Sequence, residues 1–404
     1  MRACLAAVMI WLGCALAPLA QEATGLAVAQ PDGSQIRNAG LRDVEIALSL
    51  SEAVPWRVFT LDQPPRLVMD FQEVDWRALR RTDFHRSDRV RFVEYGGYVP
   101  GWSRMVAELA APMAIEQAGM LSGQDGASLI LRLTPQDPAA FAAQAGAPND
   151  PRWDLPEPAL LPRGPARGPD APLRVVLDPG HGGIDPGAQA PGLNEKSVTL
   201  VFARELRREL MEAGGFEVVL TRDDDRFVSL DRRVAMAHQA GADVFISLHA
   251  DALSQGIAHG ASVHLLSEEA SDAASEQLAQ RHDRADLLAG VDLTLADDEI
   301  TQVLLDMARR ETEPRTEALG AALIAAFEGA EKQMITRPLR RANYSVLKSA
   351  DIPSVLIELG FMSSPKDLER LVDLDWRAGM ARAIRVGLED WRRADAALRP
   401  LVRQ

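Results

Sequence analysis

Residues 135–172 divide the chain into two parts that have to fold separately. This stretch, PQDPAAFAAQAGAPNDPRWDLPEPALLPRGPARGPDAP, is dense in proline, alanine and glycine. Proline lacks the backbone N–H that helices and central strands need, and such a composition is typical of a semi-stiff, solvated linker. Because the chain has 404 residues, it is long enough to bury a hydrophobic core on each side of the linker, which predicts two domains.

Residues 25–134, before the linker, predict a small all-β domain of the sandwich type. Short segments alternate apolar and polar residues with a period of two, and each segment is bounded by Pro, Gly, Asp or Ser. The clearest segments are VEIALSLSEAV, RLVMDF and SLILRL. His85 is the only histidine in this region, and a lone imidazole gives no reason to expect a functional site.

Residues 173–395 alternate strands with helices, which predicts an α/β domain whose largely parallel sheet is flanked by helices. The hydrophobic strand candidates include LRVVLD, FEVVLT, VFISLH and SVLIELG. A helix is expected to begin at Glu195, because Asn194 can cap its first amides. The helix is expected to end at Gly214, because glycine commonly follows the last residue of a helix. In such domains the functional groups collect at the carboxyl ends of the strands.

Residues 268–332 form a long polar stretch with helical periodicity between two strand candidates. An ordinary crossover between neighbouring strands needs only about 10 to 15 residues. The stretch is therefore predicted to be a helical insertion in the α/β domain.

The first 20 residues, MRACLAAVMIWLGCALAPLA, predict a secretory signal peptide. The basic residue Arg2 precedes an apolar run, and small residues follow this run up to Ala20. A single membrane anchor is the alternative, but the apolar run is shorter than the ~20 residues that span a bilayer. Cys4 and Cys14 both lie in this segment, so the mature chain would contain neither a disulfide nor a thiolate ligand. We therefore expect an exported protein with no integral membrane segment in its mature form.

Acidic residues outnumber basic ones, 58 against 44, which gives a formal net charge of -14. Proteins that grip the phosphate backbone of nucleic acids rely on a surplus of Lys and Arg. Nucleic acid is therefore not expected as a partner.

Four side chains at the ends of predicted elements indicate a zinc site with an open position. His181 follows a hydrophobic strand on the glycine-rich turn DPGHGG, and His249 ends the strand VFISLH. Glu195 begins a helix fourteen residues after His181 and can reach back to the same crevice. Two imidazoles and one carboxylate supply the three protein ligands of a catalytic zinc ion and leave one position for water. Glu358 ends the strand in SVLIELG, where a carboxylate is costly unless it has a task or a partner.

Other residues remain as alternative ligands. Asp178 and Asp185 lie on either side of His181, although an Asp before Pro-Gly is more often a turn former. His259 and His264 are reserve candidates further along the chain.

Two other kinds of site do not fit the sequence. The DPGHGG turn lacks the Lys and the Ser or Thr of a phosphate-binding loop. The lack of Cys after residue 14 excludes a thiol nucleophile.

These motifs together resemble those of zinc-dependent N-acetylmuramoyl-L-alanine amidases. The resemblance covers roughly residues 173–393 and rests on DPGHGG, GLNEK, TRDDDRFVSLDRRVAMAHQAGADVFISLHAD and IPSVLIELGFMSS. It implies one zinc ion held by His181, Glu195 and His249, with Glu358 as the catalytic base. The implied reaction is hydrolysis of the amide between N-acetylmuramic acid and the L-alanine of the peptidoglycan stem peptide.

The β-rich region is similar to the AMIN-type domain that precedes such catalytic domains in Gram-negative amidases. This similarity implies a periplasmic enzyme that is directed to the wall at division sites and acts in the separation of daughter cells. In family members with this role, a helical insertion covers the zinc until a partner displaces it. The resemblance therefore implies autoinhibition and a periplasmic activator from the division machinery. An acidic residue near the start of the insertion, first of all Glu268, is expected to occupy the open zinc position.

Two other functions are alternatives to the amidase for the same residues. A zinc peptidase that acts on the wall stem peptides would use the same chemistry, because the shape of the pocket decides which amide is cut. A non-catalytic wall-binding protein would require a degenerate site, whereas all four expected groups are present.

Overall fold

The computed structural model describes residues 27–72, 74–99, 102–123, 126–148, 171–252, 259–288 and 299–402. The predicted signal peptide and residues 149–170 of the predicted linker lie outside these ranges. Within the ranges, none of the helices is long and apolar enough to cross a membrane.

Residues 27–148 form two sheets that pack face to face. The strands are β1 (Ala27–Ala39), β2 (Asp43–Leu50), β3 (Trp56–Leu61), β4 (Arg66–Gln72), β5 (Val74–Asp75), β6 (Val90–Val99), β7 (Trp102–Leu109), β8 (Met113–Gly123) and β9 (Gly126–Pro135). One sheet has the order β5-β1-β2-β9-β8 and the other the order β3-β4-β7-β6. Two short helices, α1 (Arg81–Phe84) and α2 (Pro138–Gln144), complete this β-domain.

The alternating pattern of these strands places one face of each sheet in a shared core. Ile46 and Leu48 of β2 are fully buried together with Met69 and Phe71 of β4. Full burial of side chains of this size contributes about 1.5–3 kcal/mol each. The predicted small all-β domain is thus confirmed.

Residues 171–402 form an α/β domain. Its strands are β10 (Leu173–Pro179), β11 (Gln189–Ala190), β12 (Leu193–Asn194), β13 (Phe216–Leu220), β14 (Val244–His249), β15 (Ala261–Leu266), β16 (Met334–Ala342) and β17 (Ser354–Glu358). Its helices are α3 (Glu195–Ala213), α4 (Leu230–Ala240), α5 (Ala273–Leu288), α6 (Glu299–Gly329), α7 (Pro365–Val372) and α8 (Leu374–Val402), with a 3-10 turn at Ser345–Leu347.

The main sheet of this domain has the order β13-β10-β14-β17-β15-β16. Strands β13, β10, β14 and β17 are parallel, whereas β15 runs antiparallel to β17 and carries β16 parallel to itself. Alternate residues of the strands belong to two separate hydrophobic cores, one on each face of the sheet. Helices pack against the sheet in both cores and so cover both faces. The predicted largely parallel α/β sheet flanked by helices is therefore confirmed.

The parallel register brings the carboxyl ends of β10, β14 and β17 to one edge of the sheet. His249, the last residue of β14, pairs with Glu358, the last residue of β17. Leu248 pairs with Pro179, which lies two residues before His181. The polar side chains that follow these strands therefore meet at this edge.

Helix α3 carries Glu195 to the same edge. As predicted, the Asn194 side chain caps the helix, accepting a hydrogen bond of 3.1 Å from the Ser197 amide. Phe202 and Leu206 anchor the helix, since both are fully buried in the core against the sheet. Because the helix begins at the sheet edge, the carboxylate of its first residue reaches the strand ends.

Helices α5 and α6 lie within residues 268–332, the predicted insertion. Leu323 and Phe327 of α6 are fully buried in the core that α3 and α8 share. Leu278 and Ala279 of α5 belong instead to the core on the opposite face of the sheet. The two helices therefore pack on different faces of the catalytic domain.

Candidate metal centre

Four buried side chains converge at the sheet edge. One ligand atom from each of His181, Glu195, His249 and His282 lies within 4.8 Å of the other three. None of these residues is more than 8% exposed. Three of them are the zinc ligands predicted from the sequence, and the fourth, His282, comes from helix α5 of the insertion.

Glu195 lies between the two histidines that follow the strands. Its Oε1 atom is 3.0 Å from Nδ1 of His249, and its Oε2 atom is 3.1 Å from Nε2 of His181. The ring of His282 stacks on the ring of His249 with centroids 4.0 Å apart. The imidazole and carboxylate donors therefore surround one small region.

Several buried polar atoms around this region have no hydrogen-bond partner among the described residues. They are Nε2 of His181, both ring nitrogens of His282, Oδ2 of Asp251 and Oε1 of Glu358. Such atoms are rare in native proteins, because each costs the full free energy of desolvation. A cation would satisfy Nε2 of His181 and one ring nitrogen of His282, and imidazole with carboxylate is the donor set of catalytic zinc sites.

Two glycines allow the backbone to approach the ligands closely. A Cβ atom at Gly180 would lie 2.3 Å from the ring of His249. A Cβ atom at Gly187 would lie 2.6 Å from the ring of His181 and 2.7 Å from Glu195. These contacts explain why the turn that holds His181 is rich in glycine.

The position of His181 is fixed by a carboxylate and two buried arginines. Its Nδ1 atom lies 2.7 Å from Oδ2 of Asp185, a contact that in metal sites leaves Nε2 for the ion. Arg233 donates to the carbonyl of His181 at 2.9 Å, and Arg222 donates to the carbonyl of Gly180 at 2.9 Å. The two guanidinium groups therefore hold the backbone on which the imidazole stands.

Asp178, His259 and His264, the remaining alternative ligands, lie outside the converging group. Asp178 accepts hydrogen bonds from three side chains of neighbouring elements, among them Arg233 at 2.6 Å. Both ring nitrogens of His264 are hydrogen-bonded, one of them to Tyr344 at 2.7 Å. His259 is exposed.

Glu268, the residue expected at the open zinc position, lies elsewhere. It is exposed and stands two residues beyond the end of β15. Ser262 of β15 pairs with Glu358, and because β15 runs antiparallel to β17, its carboxyl end leads toward the opposite edge of the sheet. Among the described residues of the insertion, His282 reaches the metal centre.

His282 is not among the residues predicted from the sequence, although a signal for it exists. Ser275, Leu278, Ala279 and His282 occupy positions i, i+3, i+4 and i+7, which places them on one face of a helix. All four are buried. A histidine on the buried face of an otherwise polar helix indicates a contact with the domain beneath.

Burial and neighbouring charges move the pKa values of the centre apart. Burial lowers the pKa of His181, but the carboxylates of Asp185 and Glu195 have a larger, opposite effect. The pKa of His181 is therefore raised well above its ordinary value. Burial, together with the nearby imidazole of His282, lowers the pKa of His249 to about 4. Burial raises the pKa of Glu358 well above its ordinary value, and the charge of Glu195 adds to this shift. Strongly shifted pKa values of this kind are typical of functional sites.

Glu358 is fully buried beside the metal ligands. Its Oε2 atom accepts a hydrogen bond of 3.0 Å from the amide of Asp251. Its Oε1 atom lies 3.6 Å from Nε2 of His282. One carboxylate oxygen is thus anchored and the other faces the centre, an arrangement that suits a general base and acid.

Two family models match the chain. The N-acetylmuramoyl-L-alanine amidase model matches residues 175–390, and the AMIN domain model matches residues 35–133. The N-acetylmuramoyl-L-alanine amidase AmiC of Neisseria meningitidis is 32% identical over 364 residues, which are 85% of this chain and 86% of that protein. The amidase AmiA of Escherichia coli is 39% identical over 216 residues, which are 53% of this chain and 74% of that protein. The structure of the amidase AmiC2 of Nostoc punctiforme, 26% identical, covers 56% of this chain and 98% of its own, with a TM-score of 0.39.

A buried group of histidines and carboxylates at the carboxyl ends of a largely parallel sheet defines an α/β protein with an enzyme-type site. The chain belongs to the N-acetylmuramoyl-L-alanine amidase family and carries an AMIN domain before its catalytic domain. The resemblance seen in the sequence motifs is thereby confirmed, and with it the hydrolysis of an amide in peptidoglycan.

Proposed function

We propose that this chain is a zinc-dependent periplasmic amidase that separates N-acetylmuramic acid from the L-alanine of stem peptides during daughter-cell separation. The observation that carries the zinc assignment is the convergence of His181, Glu195 and His249 at one sheet edge. The predicted signal peptide supports export to the periplasm. The AMIN domain is proposed to direct the enzyme to the wall at division sites.

The residues of the centre divide the chemistry between them. His181, Glu195 and His249 would hold the ion. Asp185 would accept a hydrogen bond from Nδ1 of His181 and so orient its ring with Nε2 toward the ion. The chemistry that zinc supplies when bound is polarisation of the scissile carbonyl and acidification of water. Glu358 takes a proton from the attacking water and delivers it to the nitrogen of the leaving amine.

The surroundings of Glu358 suit this double task. Burial and the charges of Glu195 and Asp251 raise its pKa, which favours the protonated form that gives a proton to the amine. A cation held by the neighbouring ligands would favour the carboxylate form that takes a proton from water. These opposing effects allow the group to change protonation state within one reaction cycle.

We also propose that His282, rather than Glu268, holds the enzyme in an inhibited state. The His282 side chain is 2% exposed, stacks on His249 and belongs to the group of converging donors. A catalytic zinc site has three protein ligands and one position for water. A fourth protein ligand would close that position and exclude the attacking water.

Polar contacts hold α5 on both sides of His282. Arg281 donates to Oδ1 of Asp251 at 2.7 Å, and Asp283 accepts hydrogen bonds of 3.0 and 2.9 Å from Ser345. The Arg281 side chain is 40% exposed, so a partner that binds α5 can compete for this contact. We propose that a periplasmic activator of the division machinery is the partner that displaces the helix.

The bond that is cut distinguishes this function from that of a zinc peptidase. Purified sacculi digested with the His282→Ala variant, in which the proposed inhibition is relieved, are expected to release intact stem peptides that begin with L-alanine. Mass spectrometry of the soluble products makes this measurement. Short peptides or single amino acids among the soluble products, with shortened stems left on the glycan, would contradict the amidase and favour the peptidase. A non-catalytic wall-binding protein would release no soluble product.

A further inference from the structure

We propose that strand β6 of the β-domain positions the loop that carries His181 and thereby helps to form the metal centre. We define this metal loop as residues 180–187. On this inference, docking of the β-domain against the catalytic domain sets the affinity for zinc. The inference rests on the proposed zinc-dependent function and concerns the residues that hold the ligands in place.

The metal loop meets the β-domain through backbone atoms. The Ile184 amide donates a hydrogen bond of 3.1 Å to the carbonyl of Gly97 in β6. A Cβ atom at Gly96 would lie 2.8 Å from the backbone nitrogen of Ile184, and one at Gly183 would lie 2.1 Å from the Gly97 oxygen. Glycine on both sides therefore lets the two backbones approach more closely than any side chain would allow.

A small hydrophobic core built from both domains lies beside this backbone contact. Ile184 and Phe227 of the catalytic domain are 1% and 4% exposed. The ring of Tyr98 in β6 stacks on Phe227 with centroids 5.7 Å apart. The β-domain further contributes Phe59, Leu61, Val68 and Val106 to this core. Ile184 and Phe227 thus owe their burial to the β-domain.

One residue of the metal loop, His181, has an uncommon backbone conformation that its surroundings must maintain. His181, Gly182 and Gly183 have φ angles of +62°, +130° and +57°, and a positive φ is uncommon for a residue with a side chain. Within the catalytic domain, Lys196 donates to the Gly183 carbonyl and the Gly183 amide donates to Asp225, both at 2.8 Å. Strand β6 closes the other side of the loop through Gly97.

Charged groups of the two domains also influence each other across this contact. Glu94 of β6 forms an ion pair with Arg81. Burial raises the pKa of Glu94 to about 8 against the opposing charge of Arg81, and the Asp185 carboxylate adds to the shift. Asp185 is the residue that holds Nδ1 of His181. A charged residue of the β-domain therefore lies close enough to Asp185 for their charges to interact.

Gly96→Ala in the full chain tests the inference, with Gly119→Ala as a matched control. Gly119 lies in β8 of the same domain, and a Cβ atom there would meet nothing within 4 Å. We expect Gly96→Ala to weaken zinc binding about tenfold, as replacement of groups that orient metal ligands commonly does. Competition with a chromophoric chelator measures the affinity, and hydrogen exchange at the Ile184 amide reports the docking itself. Gly119→Ala is expected to change neither quantity.

Tyr98→Ala is a second variant that needs no backbone displacement, because Tyr98 is half-buried and meets Phe227 through its ring. It is expected to weaken zinc binding and to accelerate exchange at Ile184, so it decides the matter if Gly96→Ala does not fold. Wild-type zinc affinity in both variants, with zinc bound by the wild type, would overturn this inference alone. A wild-type chain that binds no zinc would overturn the proposed function and this inference with it.

Discussion

Replacing Glu358 with glutamine is expected to lower the hydrolysis of sacculi by about 10²- to 10⁴-fold, the usual contribution of a general acid and base. Glutamine keeps the shape of the side chain and an oxygen that can accept the 3.0 Å hydrogen bond from Asp251. It cannot take a proton from water or return one to the leaving amine. The rate of release of stem peptides measures the effect, and elemental analysis is expected to find the zinc content of the wild type.

Glu369→Gln is the matched control for this prediction, because Glu369 is an exposed carboxylate on helix α7. Its rate is expected to equal that of the wild type. If Glu358→Gln hydrolyses sacculi as fast as this control, a different group is the catalytic base. If Glu358→Gln instead loses its zinc, Glu358 contributes to metal binding and its assignment has to change.

Replacing His282 with alanine is expected to raise basal hydrolysis about tenfold in the absence of any activator. The change removes the fourth donor and leaves His181, Glu195 and His249 in place. A tenfold rise corresponds to ~1.4 kcal/mol less stabilisation of the inhibited state. Release of stem peptides by the purified chain measures the rate.

Gln280→Ala controls for changes in helix α5 that do not involve the metal centre, because Gln280 is exposed on the same helix. Its basal rate is expected to equal that of the wild type. Since one donor is lost, a chelator is also expected to remove zinc faster from His282→Ala than from this control. Equal rates of hydrolysis in the two folded variants would contradict inhibition by His282.

The residues at the strand ends are predictable from the sequence because their signals are local. His249 ends a continuous hydrophobic strand, and Glu195 follows an Asn that caps a helix with a clear apolar face. The topology of parallel sheets then places such residues at one edge. These signals predict the fold class, and with the glycine-rich turn at His181 they predict that His181, Glu195 and His249 lie at the same edge.

The contacts made by the insertion depend on long-range packing, which the hydrophobic pattern does not report. Glu268 is the blocking residue that the sequence predicts, because it is acidic and begins the insertion, but its position depends on the direction of β15. A strand pattern does not reveal whether a strand runs parallel or antiparallel to its neighbour. The contact between Gly97 and Ile184 cannot be predicted from the sequence either, because neither segment has a pattern that indicates which residue of the other domain it contacts.

The most direct test of the central claim is the zinc content of the purified wild-type chain, measured together with its hydrolysis of sacculi. We expect one zinc ion per chain, loss of hydrolysis when a chelator removes the ion, and recovery when zinc is added back. A chain that contains no zinc as purified and hydrolyses sacculi at the same rate with and without added zinc would contradict the claim.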